Sequence, residues 1–211
     1  MPLRPPWLDR RGRFSALKAA TLGIVLAPGL VVATRYLAGE LGARPLNEAI
    51  HVTGLWAVRL LLLSLFVTPL RQILRLPQLI AVRRMIGVAA FAYAAAHLAL
   101  YAADQSLDLA RVGAEIVLRL YLTIGFAALL LLAGLALTST DGMIRRLGGR
   151  RWQALHRAAY GAALLAIVHY CMQSKLDVVE ATAVAGLAGW LLAYRIVAWR
   201  AGTGRAAYGA A

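Results

Sequence analysis

Six apolar stretches, each about the length of a membrane span, leave this chain little choice of fold. They run over roughly residues 16–38, 51–70, 84–103, 116–138, 153–173 and 178–199. At 1.5 Å per residue, a helix of about 20 apolar residues crosses a hydrocarbon layer of ~30 Å. In lipid every backbone polar group must be satisfied within the segment, so a run of this kind has to be helical. Hydrophobic residues make up 61% of the chain and charged residues 15%, with a mean hydropathy of +0.69. A soluble domain is nearer half apolar and a quarter charged. The apolar runs are continuous rather than alternating, which excludes a β-barrel. The expected fold is therefore an all-α integral membrane protein. A six-transmembrane-helix bundle occupies residues 16–200, between an N-terminal tail of 1–15 and a C-terminal tail of 201–211. No loop is long enough to hold a soluble domain, so any reductant is external.

The formal net charge of +14 could suggest nucleic acid, but its distribution argues for topology instead. Arg4, Arg10, Arg11, Arg13 and Lys18 precede or open the first span. Arg71, Arg75, Arg83 and Arg84 fill the second loop; Arg145, Arg146, Arg150 and Arg151 fill the fourth; Arg200 and Arg205 close the chain. The odd loops carry Glu40, Glu48, Asp104, Asp108, Asp177 and Glu180, with few cations. This is the positive-inside pattern. It predicts both termini in the cytoplasm, the odd loops outside and no nucleic-acid partner. The first span follows a basic tail as a signal peptide would, but its apolar run is longer than such a signal requires, so it is expected to remain as a helix.

Four histidines then stand out: His51, His97, His156 and His169. An imidazole in hydrocarbon is costly, and ionisable groups within spans usually mark ion, proton or cofactor sites. His97 lies 13 residues beyond Arg84, roughly 20 Å into the third span; His169 lies 17 residues beyond Trp152, roughly 25 Å into the fifth. Two neutral imidazoles at similar depth on separate helices are the axial ligand set of a six-coordinate heme iron. They lie in the outer half of the bundle. Cys171 is the single cysteine and no C-x-x-C-H segment exists, so the heme would be of non-covalent b type.

His156 lies near the cytoplasmic face, where a second heme and a plain polar role are both open. If the fifth span is one straight helix, His156 and His169, 13 residues apart, do not share a face. His51 opens the second span, with a role at a quinone or a partner as one option. Arg59 lies eight residues further along and roughly on the same face; it reads either as a snorkelling side chain or as a partner for a heme propionate. In the fourth loop, Ser139, Thr140 and Asp141 are natural helix caps and Gly148-Gly149 a break. Arg150 and Arg151 beside the following helix would suit an anionic group or anionic lipid.

Several stretches, taken in order, resemble the MsrQ (formerly YedZ) family of heme-binding membrane subunits, part of the ferric reductase-like transmembrane group. They are His51-Val-Thr-Gly54, Thr68-Pro-Leu-Arg71, Arg83-Arg-Met-Ile-Gly87 leading to His97-Leu, and Tyr121-Leu-Thr-Ile-Gly125. Leu137-Thr-Ser-Thr140, Leu147-Gly148, Arg151-Trp-Gln-Ala-Leu-His156, Tyr160 and His169-Tyr170 follow. The resemblance implies an electron conduit in the bacterial inner membrane. Electrons would pass from membrane quinol, through heme b, to a periplasmic molybdopterin-containing methionine-sulfoxide reductase that repairs envelope proteins. It also implies an association with FMN, and it makes His97 and His169 the ligands of the outer heme. Wider relatives carry two histidines on the third span, whereas Arg83 and Arg84 stand here, which leaves His156 without an obvious partner on that helix. The competing expectation, from another functional class, is a small transporter or proton channel with a histidine relay.

Overall fold

The computed structural model describes residues 5–8, 11–173 and 178–200. Arg4, Arg10, Asp177, Arg205 and the C-terminal tail, named above, lie outside the described residues. An isolated bridge between Leu8 and Phe14 apart, the regular structure of the described residues is helical.

Helix α1 spans Ala16–Leu37, α2 Pro45–Ile73, α3 Ile80–Asp104, α4 Leu109–Leu118 and α5 Leu120–Leu137. Then come α6 Asp141–Leu147, α7 Gly149–His156, α8 Ala158–Gln173 and α9 Val178–Arg200. Among the described residues, four helical segments are long and apolar enough to cross a membrane: Ala16–Leu37, Pro45–Ile73, Pro77–Asp104 and Leu120–Leu137. Helix α8 is shorter, at 16 residues, and Thr182–Ala198 is a shorter apolar segment within α9.

The structure departs from the expected spans in three places. Helix α2 begins at Pro45, where proline suits the first helical position. His51 is therefore nearly two turns inside the helix rather than at its opening. The expected fourth span is broken at Arg119, whose extended backbone (φ −110°, ψ 106°) separates α4 from α5. The expected fifth span is broken at Arg157, so α7 and α8 are separate helices. His156 and His169 thus sit on different helices, and the argument from one continuous helix face falls away. The expected α6 cap is present: Thr140 Oγ1 accepts from the Met143 amide, and Gly148 turns the chain at φ 73°.

Helix α2 is the centre. Leu60, Leu61 and Leu62 are 1–3% exposed, so successive residues are buried on every side, as expected of a helix apolar all round. The most extensive contacts pair α2 with α3 and α5 with α8, as two antiparallel hairpins. Ala90 and Ala162, both fully buried, let helix backbones approach closely. On the outside, Ile24, Leu26 and Leu30 of α1 and Leu130 and Leu137 of α5 are exposed and apolar, a surface that suits lipid. Pro28 interrupts α1, and the Tyr93 hydroxyl of α3 fills the interruption. It accepts from the Gly29 amide at 2.7 Å and donates to the Val25 carbonyl at 2.9 Å.

Candidate paired-imidazole site

The two hairpins build the same small motif at the same end of the bundle. In the first, His97 near the end of α3 reaches back over the start of α2, where its Nδ1 meets the Ile50 carbonyl at 2.8 Å. In the second, His169 near the end of α8 reaches over the start of α5, where its Nδ1 meets the Tyr121 carbonyl, also at 2.8 Å. A carbonyl only accepts, so both Nδ1 atoms carry the proton and both Nε2 atoms keep the lone pair that binds a metal. Each carbonyl stands one turn before a glycine, Gly54 in α2 and Gly125 in α5. A Cβ on Gly54 would lie 2.8 Å from the His97 Nδ1, and one on Gly125 2.7 Å from the His169 Nδ1. Only a bare Cα lets an imidazole lie this close to the helix and reach a carbonyl that is already within the helical ladder.

The two rings face each other, with centroids 6.3 Å apart and planes at 81°. Imidazole nitrogens bind first-row metals at about 2 Å and a ring centroid lies about 1 Å further back, so two imidazoles on opposite sides of one ion have centroids about 6 Å apart. The spacing fits. Among the described residues no group of three or more His, Cys, Asp or Glu gathers for a bare ion. Two imidazoles therefore suit a metal that brings its equatorial ligands with it, as in a porphyrin.

The site lies towards one end of the bundle. Gly54 is nine residues into α2, about 13 Å from its start, and Gly125 five residues into α5, about 8 Å. Helix α2 continues for some 19 residues past Gly54, about 28 Å. A belt of polar side chains lies on the near side. Tyr101, one turn beyond His97, donates to Glu115 of α4. Glu115 also faces Arg119 Nη2 at 3.5 Å and Arg111 Nε at 3.6 Å. Arg119 Nη1 in turn donates to the Tyr121 hydroxyl at 3.2 Å. The Tyr121 ring lies 6.4 Å from the His169 ring, inclined by 25°. The hydrogen bond from Tyr101, with the charges of Arg119 and Arg111, outweighs burial and holds the Glu115 carboxyl below its ordinary range.

The other candidate residues are not brought to this pair. His156 is at the far end of α5, some 13 residues or about 20 Å from Gly125. Its ring stacks on Trp152 at 3.9 Å, and its Nε2 lies 3.2 Å from Thr138 Oγ1. The Thr138 hydroxyl is itself directed at the Gly134 carbonyl at 2.8 Å, so His156 Nε2–H is the donor. Trp152 Nε1 closes this corner by donating to the Thr138 carbonyl at 2.9 Å. Arg59 ion-pairs with Glu180 of α9 and lies 5.3 Å from the centre of the Trp56 ring. Arg151 is exposed near the start of α7. His51 is exposed, one residue beyond the carbonyl that holds His97. The sequence gives no sign of the polar belt through Glu115 and Arg119, because its members come from α3, α4 and the start of α5 and meet only in the fold. Gly54 and Gly125 stand in the sequence within the motifs His51-Val-Thr-Gly54 and Tyr121-Leu-Thr-Ile-Gly125; their signal is a glycine inside an apolar helix that otherwise favours bulk.

A family model described as "Ferric reductase like transmembrane component" matches residues 53–167, a stretch that includes Gly54, His97, Gly125 and His156. A protein from Rhodospirillum rubrum named "Protein-methionine-sulfoxide reductase heme-binding subunit MsrQ" is 44% identical over 90% of this chain and 89% of its own length. Proteins of the same name are 40% identical in Azospira oryzae, covering 87% of this chain and 82% of theirs, and 43% identical in Xanthomonas campestris pv. campestris, covering 86% of each.

Proposed function

Because the chain belongs to the ferric reductase-like transmembrane family, and within it to the MsrQ heme-binding subunits, we propose that it binds a b-type heme between His97 and His169 and carries electrons across the membrane to a methionine-sulfoxide reductase. The single observation that carries this reading is the imidazole pair, 6.3 Å between centroids, with each Nδ1 tied to a helix carbonyl.

The heme, when bound, supplies one-electron chemistry at its iron. The chain's own residues supply everything else. The Ile50 and Tyr121 carbonyls fix the tautomer and the plane of each ligand ring and raise its basicity, which favours the oxidised metal. Gly54 and Gly125 set how close each ring lies to its helix. Packed apolar residues of α2 and α3 exclude water from the inner side, so little solvent reorganises when charge changes at the site.

The finer assignments extend this reading. The donor is membrane quinol and the acceptor a periplasmic molybdopterin-containing subunit; the membrane is the bacterial inner membrane. The alternation of basic and acidic loops supports cytoplasmic termini, and with them an outward position for the imidazole pair. Asp104 and Asp108, at that end, would guide a basic partner, an effect that weakens with salt. FMN would find its phosphate partners among Arg145, Arg146, Arg150 and Arg151 of α6 and α7. A second heme at His156 is the least supported part, since Nε2 there already serves Thr138. The competing relay is disfavoured by the same bonds: His97 and His169 sit at one depth, each bonded to its own neighbouring helix rather than to a line of donors along the membrane normal.

In proteoliposomes, quinol should reduce the heme, and an oxidised methionine-sulfoxide reductase with its substrate should reoxidise it. A purified, folded, colourless chain would refute heme binding. A heme that quinol cannot reduce but a cytoplasmic flavin reductase can would leave heme binding intact and overturn the donor.

A further inference from the structure

Heme carries its two carboxylates on one edge, and in a bilayer that edge belongs where a cation and water are close. The described residues offer one such place beside the imidazole pair. Arg119 stands in the single extended residue between α4 and α5, two positions before the Tyr121 carbonyl that holds His169. Its side chain is 53% exposed, and its guanidinium is only loosely committed. Nη1 donates to the Tyr121 hydroxyl at 3.2 Å, while Nη2 faces Glu115 at 3.5 Å, longer than the paired bonds of a closed arginine–carboxylate fork. Five N–H donors are available on that plane, so acceptor capacity is what the corner lacks. Arg111 and Arg119 together bring two positive charges against the one carboxylate of Glu115, whose other oxygen accepts from Tyr101. Around Glu115, then, two guanidinium groups share one carboxylate. The corner spans both ligand-bearing hairpins, through Tyr101 one turn beyond His97 and through the Tyr121 ring alongside His169.

Arg59, the other cation in reach of the reading from sequence, is placed less well. It lies five residues past Gly54, further from the end of the bundle, and is engaged by Glu180 and Trp56. Arg35 of α1 is turned to Glu48 and to the Glu40 carbonyl, and α1 contacts α2 and α3 rather than the α5–α8 hairpin.

We propose that Arg119 anchors a carboxylate of the heme held between His97 and His169, with the Tyr121 hydroxyl completing the contact and Glu115 holding the guanidinium in place. The proposal rests on the heme reading above. It makes Arg119 a cofactor-binding residue and the α4–α5 break its mount. The break is then the means by which an arginine sits at the edge of the cofactor rather than on a lipid-facing helix surface.

The test uses the full-length chain in detergent, stripped of heme and titrated with iron protoporphyrin IX or with its dimethyl ester, which keeps the iron and ring but lacks both carboxylates' charge. The wild-type chain should bind the free acid about tenfold more tightly than the ester, the size of one charge-assisted contact. Arg119→Gln should lose that preference by weakening the free acid alone, and Arg119→Lys should recover part of it. Unchanged ester binding in Arg119→Gln shows that the site is still folded. Arg59→Gln should keep the preference. The proposal is overturned if the wild type binds acid and ester equally, if Arg119→Gln weakens both alike, or if Arg59→Gln rather than Arg119→Gln removes the preference. Binding of neither porphyrin by the wild type would overturn the heme reading itself, and the anchor with it.

Discussion

The α5–α8 side of the molecule carries a histidine at each end, and the two ends use it in opposite ways. At one end His169 gives its Nδ1 proton to a helix carbonyl, keeps Nε2 unprotonated and faces a second imidazole. At the other end His156 gives its Nε2 proton to Thr138, stacks on Trp152 and faces no imidazole among the described residues. Residue type is the same; what differs is which nitrogen the neighbouring helix occupies. A helix carbonyl one turn before a glycine takes the Nδ1 proton and leaves the Nε2 lone pair free, whereas the threonine hydroxyl takes the Nε2 proton. A histidine beside the bundle is therefore not by itself evidence of a ligand. The neighbour that fixes its tautomer is.

Short of removing a ligand, the largest expected effect at the paired end is at the glycines. Gly54→Ala and Gly125→Ala each put a methyl group inside contact distance of a tethered imidazole. A forced overlap of this kind costs about 1–3 kcal/mol, so heme affinity should fall by about 5- to 150-fold in either variant. Gly134→Ala, in the same helix as Gly125 but with nothing within 4 Å of the added carbon, should leave heme content unchanged and raise stability by up to about 1 kcal/mol. Heme titration and thermal unfolding of the three variants measure this directly. Equal behaviour of Gly125→Ala and Gly134→Ala would break the contrast between the two ends of α5.

A smaller effect belongs to the other end. Thr138→Val removes the acceptor of His156 and should cost about 1 kcal/mol in unfolding measurements, with no change in the spectrum of the paired site. A spectral change there would mean that the two ends are coupled through α5.

The smallest effect concerns Glu115. Its folded carboxyl titrates below the ordinary range, chiefly because Tyr101 donates to it. The contribution of that contact is thus fully present above the unfolded carboxylate range, and is lost as pH falls through the lower folded value. Protection factors of the α4 amides, corrected for the intrinsic slowing of exchange in acid, should fall as the solution is acidified through that window, while those around the buried Leu61 of α2 stay constant. Glu115→Gln should abolish the pH dependence.

Residue counts from the basic ends of two apolar runs suffice to put His97 and His169 at similar depth, and the centres of the two rings lie 6.3 Å apart. The continuous apolarity that reveals a span also hides its interruptions. Ile116, Val117 and Leu118 run into Leu120 with Arg119 as the single polar residue, so nothing in hydropathy marks the extended backbone there. Arg150 to His156 reads as the wet opening of the next span, although Arg157 in fact ends α7. The ion pair of Arg59 with Glu180 joins residues far apart in sequence and follows only from how α9 packs on α2. Local patterns, such as the Thr140 cap and the Gly148 turn, were fully legible because their partners lie within four residues.

The central claim is that one heme iron lies between two imidazoles whose planes are nearly perpendicular, and low-temperature electron paramagnetic resonance of the purified ferric chain tests it most directly. The account predicts a low-spin signal with the strong anisotropy of crossed ligand planes, at the 81° found between His97 and His169. It should be absent from His97→Ala and from His169→Ala and retained in His156→Ala. A low-spin signal that survives loss of His97 or His169, or that vanishes with His156, would contradict it.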